Sequence, residues 1–145
     1  MRTPLYATES EEKVLRAIQN ILAFSKDQCR VEEYGRYREI ICIAESRIPL
    51  EKFASLLRSQ RILDAARSYL LKGKSGNAFK FYLNKQAALQ GHASFCTFEV
   101  GESPLGAITI IIDLGECNPE AFLNWLAPET RNGKPINEEK DPGCG

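Results

Sequence analysis

Residues 78–84 read AFKFYLN, and this stretch decides the kind of fold that the sequence predicts. Apolar and polar side chains alternate along it, which is typical of a β-strand with one face in a core and the other towards water. The predicted inner side chains are Phe79, Phe81 and Leu83, and the outer ones are Lys80, Tyr82 and Asn84. The sequence therefore predicts a sheet that is covered on one face.

Further β-rich segments lie on both sides of this strand. Gly35 separates two of them and indicates a hairpin, and the apolar run before Glu45 favours a central position for its second strand. In residues 107–114 apolar side chains again recur at alternate positions. The additional predicted strands are residues 5–7, 30–34, 39–44, 93–98 and 107–114.

Helical periodicity appears in three places. A capping box at Thr8 and Glu11 precedes an amphipathic helix that runs to about Phe24. Pro49 opens a long helical segment to Leu71, with Gly73 as its C-cap and a break near Gln60 as an alternative, and residues 119–126 form a short third helix. The element order and the hairpin-length connections predict an α+β fold, a two-layer sandwich in which helices pack on a mainly antiparallel sheet.

The 145 residues fit one compact domain, which we place at residues 1–127. Beyond Pro128 the chain is rich in proline, glycine, asparagine and charge and has no periodicity, so we expect residues 128–145 to be a flexible tail. The net formal charge is zero, but residues 52–85 contain eight basic side chains and one acidic one. Residues 99–145 carry nine acidic and three basic side chains, so the chain is polarised along its length. A basic block of this kind suggests an anionic partner.

Five cysteines stand at positions 29, 42, 96, 117 and 144, an odd number without a Cys-x-x-Cys pair. This spacing argues against a disulfide framework or a zinc knuckle and favours reduced thiols in an intracellular protein. The first ten residues resemble neither a signal peptide nor a transit peptide, and no apolar run approaches the length of a membrane span. We therefore expect a cytoplasmic protein without a membrane partner.

Groups for catalysis are scarce. His92 is the only histidine, and Cys96 lies four residues along a predicted strand, about 13 Å away at roughly 3.3 Å per residue, which is too far for proton transfer. No metal-ligand spacing is present. The motif Gly73-Lys74-Ser75-Gly76 resembles part of a phosphate loop, but it follows a helix instead of opening one. We predict a protein that is not an enzyme, with no catalytic residue, metal or cofactor.

The basic block is organised for contact with nucleic acid. On one continuous helix, Arg58, Arg61 and Lys72 would share a side with the small residues Ala65 and Ser68 between them, which lets a phosphate approach closely. The next strand presents Lys80, Tyr82 and Asn84, followed by Lys85 and Gln86. Charge, an aromatic ring and amide groups are what single-stranded RNA recognition requires.

Four separated segments also resemble an archaeal family of small uncharacterised proteins. They are residues 8–14 (TESEEKV), 59–67 (SQRILDAAR), 83–88 (LNKQAA) and 103–108 (SPLGAI). The resemblance implies a fold like that of the ribosomal large-subunit protein that binds 5S RNA, and kinship with proteins described as predicted RNA-binding or exosome-associated. It brings no catalytic residue. Its motif residues coincide with the basic block, although Asp64 and Arg67 also have the spacing of a helical ion pair.

The sequence as a whole predicts a non-enzymatic RNA-binding domain with a role in RNA processing or ribosome function. The alternative is a protein interaction module whose basic face docks an acidic partner, or the acidic C-terminal third of the same chain. The oligomeric state is not predicted. The predicted RNA-binding residues are Arg58, Arg61, Arg67, Lys72, Lys74, Lys80, Tyr82, Asn84, Lys85 and Gln86.

Overall fold

The computed structural model of the chain describes residues 1–99 and 105–141. Five helices pack on a mainly antiparallel sheet, which confirms the α+β prediction. The helices are α1 (Glu11–Ile21), α2 (Ile48–Ser59), α3 (Leu63–Lys72), α4 (Lys85–Leu89) and α5 (Pro119–Leu126). The strands are β1 (Arg2–Pro4), β2 (Cys29–Tyr34), β3 (Tyr37–Cys42), β4 (Lys74–Ser75), β5 (Ala78–Asn84), β6 (Phe95–Cys96), β7 (Ala107–Asp113), β8 (Thr130–Arg131) and β9 (Lys134–Pro135).

The large sheet has the order β2-β3-β1-β7-β5-β4, and β6 also pairs with β5. All its pairs are antiparallel, and the longest is that of β5 with β7, over seven residues. Alternation in β5 is as predicted, because Phe79, Phe81 and Leu83 are buried. Together with the apolar faces of α1, α2, α3 and α5 they form one continuous core.

Local signals fix most of the helix bounds. Asn118 caps α5 through its side chain, which accepts hydrogen bonds from the amides of Glu120 and Ala121, and Pro119 occupies the first turn. The N-cap of α1 is Ser10, not Thr8 as predicted. β1 also lies earlier than predicted. It spans Arg2–Pro4 instead of residues 5–7, and its residue Thr3 pairs with Ile40 on β3.

The cysteine prediction is wrong for three of the five positions. Cys29 and Cys42 lie directly opposite each other on β2 and β3 and form a disulfide. Cys117 is also disulfide-bonded, whereas Cys96 is a buried thiol on β6. Cys144 lies outside the described residues. The spacing of 13 residues did not predict this disulfide, because the two cysteines meet only through the register of the hairpin formed by β2 and β3.

The segment predicted to be a flexible tail has structure as far as residue 141. β8 and β9 form a two-stranded hairpin, in which the Thr130 hydroxyl donates to Asp64 of α3. Beyond the hairpin, Glu138 pairs with Arg58 and Asp141 pairs with Arg47 at distances of 2.9 and 3.0 Å. Contacts with α2 and α3 therefore replace the free segment that we expected, while residues 142–145 lie outside the described part of the chain.

Candidate nucleic-acid interface

The predicted single basic helix is broken in the structure. α2 ends at Ser59 and α3 begins at Leu63, so the break near Gln60 is the alternative that holds. Arg61 lies in the turn with a φ of 58°, a left-handed conformation that costs an L residue other than glycine about 1 kcal/mol. Arg58, Arg61 and Lys72 consequently do not follow one helical stripe.

Arg58 is used inside the protein. Its guanidinium donates to the carbonyl oxygens of Ala54 at 2.8 Å and Trp125 at 2.9 Å, and it forms the ion pair with Glu138. The carbonyls at the end of α5 have no partner within their own helix, so Arg58 caps that helix from α2. Binding of a phosphate would require these contacts to break.

Arg67 has a similar role on α3. It donates to the Asn124 side chain at 2.9 Å and to the Ala127 carbonyl at 3.2 Å, and Glu129 lies 3.6 Å away. Its partners are therefore on α5 and the C-terminal segment, and its predicted pairing with Asp64 is not the observed one. Glu129 and Glu138 of the C-terminal segment thus contact Arg67 and Arg58 of the basic block. Such contacts are what the alternative prediction described, in which the acidic C-terminal third docks on the basic face.

Lys85 is buried to all but 3% of its surface. Its ammonium donates to the carbonyls of Pro4 at 2.7 Å and Leu105 at 2.8 Å, and to the Glu9 carboxylate at 3.0 Å. Burial lowers the pKa of Lys85, and Glu9 opposes that shift. The side chain joins β1, the start of α1 and the approach to β7, and it has no donor left for RNA.

Gln86 lies in the short helix α4, which was not predicted from the sequence, and Asn84 immediately precedes that helix. Asn84 is its N-cap and accepts a hydrogen bond from the amide of Ala87 at 2.8 Å. Gln86 is exposed on the first turn of α4. The Asn84 amide therefore serves the local helix, whereas the Gln86 side chain faces water.

Three of the predicted residues, Lys72, Lys74 and Lys80, come together at one end of the sheet. Gly73 lies opposite Lys80 and accepts a hydrogen bond from its amide at 3.0 Å. A Cβ atom at position 73 would lie 1.7 Å from the Lys80 carbonyl oxygen, so only glycine permits this approach. Lys72 and Lys74 flank Gly73 in sequence, so their backbones lie beside that of Lys80. Lys74 pairs with Phe79, which directs the Lys74 and Lys80 side chains to opposite faces of the same sheet edge. We call these three residues, Lys72, Lys74 and Lys80, the lysine edge.

The lysine edge is exposed and carries aromatic rings beneath two of its charges. The Lys72 ammonium lies 5.4 Å from the centre of the Tyr69 ring, and the Lys80 ammonium lies 5.8 Å from that of Tyr82. Tyr82 is half-buried on the outer face of β5, between Thr109 of β7 and Cys96 of β6. No carboxylate within the described ranges forms an ion pair with these three lysines, in contrast to Arg58, Arg67 and Lys85.

Gln60 has a structural role that its sequence pattern did not predict. Its side-chain amide donates to the Ala93 carbonyl at 3.0 Å and accepts from the Ala93 amide at 2.8 Å, so it pairs with that backbone as a strand would. This contact fixes the turn between α2 and α3 against the segment before β6. Only the presence of an amide at a helix break could have pointed to it.

The geometry of the described residues bears on a metal site and on a membrane span. No group of three or more histidine, cysteine or acidic side chains in residues 1–99 and 105–141 is arranged to hold a metal ion. Within the same residues, every helix is too short or too polar to cross a membrane.

Comparison with known proteins places the chain in a family. A protein-family model described as "RNA binding" matches residues 1–114. A UPF0201 protein of Methanopyrus kandleri is 42% identical over 98% of this chain and 91% of its own length. A UPF0201 protein of Sulfurisphaera tokodaii is 42% identical over 93% of this chain and 90% of its own length.

Solved structures agree with this relationship. The crystal structure of a UPF0201 protein from Methanococcus jannaschii has a TM-score of 0.77 and 36% identity, over 94% of this chain and 96% of that one. A second crystal structure of a UPF0201 protein has a TM-score of 0.71 and 37% identity, with 93% and 96% covered. From the family match and these full-length similarities it follows that the chain belongs to the archaeal UPF0201 family.

Proposed function

We propose that this protein binds single-stranded RNA through the lysine edge and the neighbouring Tyr82 ring. The observation that carries the proposal is that Lys72, Lys74 and Lys80 lie at one sheet edge around Gly73, exposed and without acidic partners in the part of the chain that the structure describes. The description of the matching family model supports RNA as the ligand. Arg58, Arg67, Asn84 and Lys85 are left out, because their polar groups serve the fold.

The chemistry divides between the two kinds of side chain. The ammonium groups neutralise phosphates, which contributes affinity without reading the sequence. Tyr82 is half-buried and offers part of its ring for stacking on a base. Arg61 and Gln86 are exposed outside the lysine edge and remain candidates for further RNA contacts. We propose no catalytic step. The resemblance to exosome-associated proteins supports RNA processing as the process in which the protein acts.

Salt dependence tests the charge contacts. With a fluorescein-labelled mixed-sequence RNA and fluorescence anisotropy, three phosphate contacts predict a slope of log K against log salt of about −2. Substituting Lys80→Ala should reduce the magnitude of the slope by about 0.7. Lys52→Ala is the matched control from the same basic block, because the Lys52 ammonium donates to the Gln19 carbonyl on α1 and lies outside the lysine edge. The proposal fails if the triple alanine variant of the lysine edge binds as tightly as the parent.

Tyr82 separates RNA from an acidic protein as the partner. Tyr82→Ala should weaken RNA binding about five-fold or more, and Tyr82→Phe should retain most of the affinity because it keeps the ring face. An acidic protein needs only the charges. The ion pairs of Glu138 and Glu129 with the basic block give that alternative its support, and it would be preferred if acidic polypeptides bound while Tyr82→Ala changed nothing.

A further inference from the structure

The strand β2 forms a long edge of the large sheet. Among the residues that the structure describes, it pairs with β3 and with no other strand. It has six residues, and all six are in register with β3. An edge strand of this length is a template on which another strand can pair.

Hydrogen bonds on the far side of β3 show which backbone groups of β2 face the open edge. The Cys42 amide on β3 donates to the Met1 carbonyl, away from β2. Cys29, the β2 residue directly opposite Cys42, therefore turns its own N–H and C=O groups away from β3. Val31 and Glu33 do the same, because these groups alternate in direction along a strand.

Most of these outward groups are free to bond. The Cys29 N–H donates to the Lys26 carbonyl in the turn before β2. Within the described ranges, the N–H groups of Val31 and Glu33 and the carbonyls of Cys29, Val31 and Glu33 have no hydrogen-bond partner. The edge thus offers both donors and acceptors to a further antiparallel strand.

The side chains of β2 carry a charge pattern that is complementary to itself. Val31 pairs with the buried Ile40, so Arg30 and Glu32 point to the outer face, where they form an ion pair and are 55% and 36% exposed. If Val31 lies opposite its own copy in an antiparallel pair, each Arg30 faces Glu32 of the partner subunit. A shift of two residues either way puts Arg30 opposite Arg30 or Glu32 opposite Glu32, and like charges directly opposite destabilise a sheet.

We propose that this protein forms a two-fold symmetric dimer in which the β2 strands of two copies pair antiparallel, centred on Val31. The two Val31 residues exchange hydrogen bonds, and each Glu33 N–H donates to the partner subunit's Cys29 carbonyl, which gives about four backbone bonds. On the outer face the charges of Arg30 and Glu32 alternate in sign across the two strands. On the inner face the half-buried Val31 side chains meet.

The occupant is a second copy of this chain, because β2 itself carries the complement that its edge requires. Two-fold pairing uses both β2 edges on each other, so assembly stops at the dimer. The lysine edge lies at the far end of the sheet, five strand spacings or about 24 Å from β2. Dimer formation therefore leaves the RNA site of each copy open, and this proposal stands independently of the proposed function.

Sedimentation velocity over a range of protein concentrations tests the dimer. The parent should pass from monomer to dimer between micromolar and millimolar concentration. Arg30→Glu and Glu32→Arg should each raise the dimer dissociation constant about ten-fold or more, because two favourable charge pairs become two unfavourable ones. Arg131→Glu is the matched control with the same change in net charge, since Arg131 is exposed on β8 outside the large sheet, and it should dimerise like the parent.

The dimer is refuted if the parent stays monomeric up to millimolar concentration, or if both β2 variants associate as strongly as the parent. The double variant Arg30→Glu/Glu32→Arg restores opposite charges and should dimerise like the parent. Failure of this variant to dimerise, while circular dichroism shows it folded, would contradict the register.

A mixture of the two single variants tests the register directly. In a mixed dimer the acidic pair of the Arg30→Glu chain faces the basic pair of the Glu32→Arg chain, so opposite charges meet at both places. An equimolar mixture should therefore dimerise at a concentration at which each variant alone is monomeric. In that mixture, hydrogen exchange at the amides of Val31 and Glu33 should slow. A mixture that stays monomeric, or dimers in which these two amides exchange as fast as in the monomer, would overturn the proposal.

Discussion

At the scale of single residues, the buried ion pair of Lys85 and Glu9 is the most consequential contact. The side chains of both are almost completely buried, and the ammonium also serves two carbonyls on separate segments. The sequence showed Lys85 only as one more charge of the basic block, because its partners lie 20 to 81 residues away. Burial of a charge is a tertiary property that local patterns do not contain.

Lys85→Met should destabilise the fold by about 3–5 kcal/mol, because it leaves the Glu9 carboxylate buried without its counter-ion. The double variant Lys85→Met/Glu9→Gln should recover part of that loss, since no buried charge remains. Urea unfolding monitored by circular dichroism measures both values. If the single variant loses less than about 1 kcal/mol, the pair is open to water.

Tyr37 provides a residue-scale prediction in pH. Burial and the hydrogen bond from its hydroxyl to Glu39 raise its pKa to about 12. A raised pKa means that the folded protein holds this proton more tightly, so its contribution to stability is complete below pH 10 and is lost as the pH rises through about 12. Ultraviolet titration of the phenolate should detect this late ionisation, and Glu39→Gln should bring it to lower pH; an unchanged titration would show that Glu39 is not a cause.

At the scale of elements, the success of prediction follows the range of the signals. The bounds of α5 were predicted correctly because Pro119, its preceding asparagine and an apolar periodicity all lie within ten residues. α4 was missed because a helix of five residues has almost no periodicity and depends on Asn84 as its cap. The lysine edge was only partly predictable: the lysines are plain in the sequence, but Gly73 brings them together through a contact with β5.

The C-terminal hairpin gives a prediction at this scale. Truncation after Pro128 removes β8, β9 and the partners Glu129 and Glu138, and it leaves Arg67 and Arg58 with their contacts to α5. We expect the melting temperature to fall by several degrees, as for a loss of about 1 kcal/mol. Arg131→Ala in the full chain is the control, because that side chain is exposed on β8. An unchanged melting temperature after truncation would restore the picture of a free tail.

At the scale of the whole molecule, one core joins both halves of the chain. Buried residues from Leu5 to Ala127 belong to a single cluster. The inward side chains of β5 and β7, which pair over seven residues, are part of that cluster. The block of eight basic residues that dominates the sequence does not survive as one surface, because folding directs Arg58, Arg67 and Lys85 to partners within the protein. Arg61, Lys72, Lys74 and Lys80 stay exposed. Linear charge therefore overstated the area available to an anion.

A single core predicts a single unfolding transition. Differential scanning calorimetry should show one peak, and reduction of the disulfides should move that peak to lower temperature without splitting it. Opening the link between Cys29 and Cys42 should cost up to roughly 3 kcal/mol, because a disulfide across a loop of this length restricts the unfolded chain. Two resolved peaks would show that the sheet melts in parts.

The strands β4 and β6 are each two residues long, and together they form one edge of the large sheet. A strand edge is a template on which a neighbouring molecule can add its own backbone, and such growth begins the path to fibrils. Two residues at a time offer too few consecutive hydrogen bonds for that template to work, and Lys74 places a charge on it. This side of the protein is consequently protected against aggregation at high concentration by the brevity of its strands.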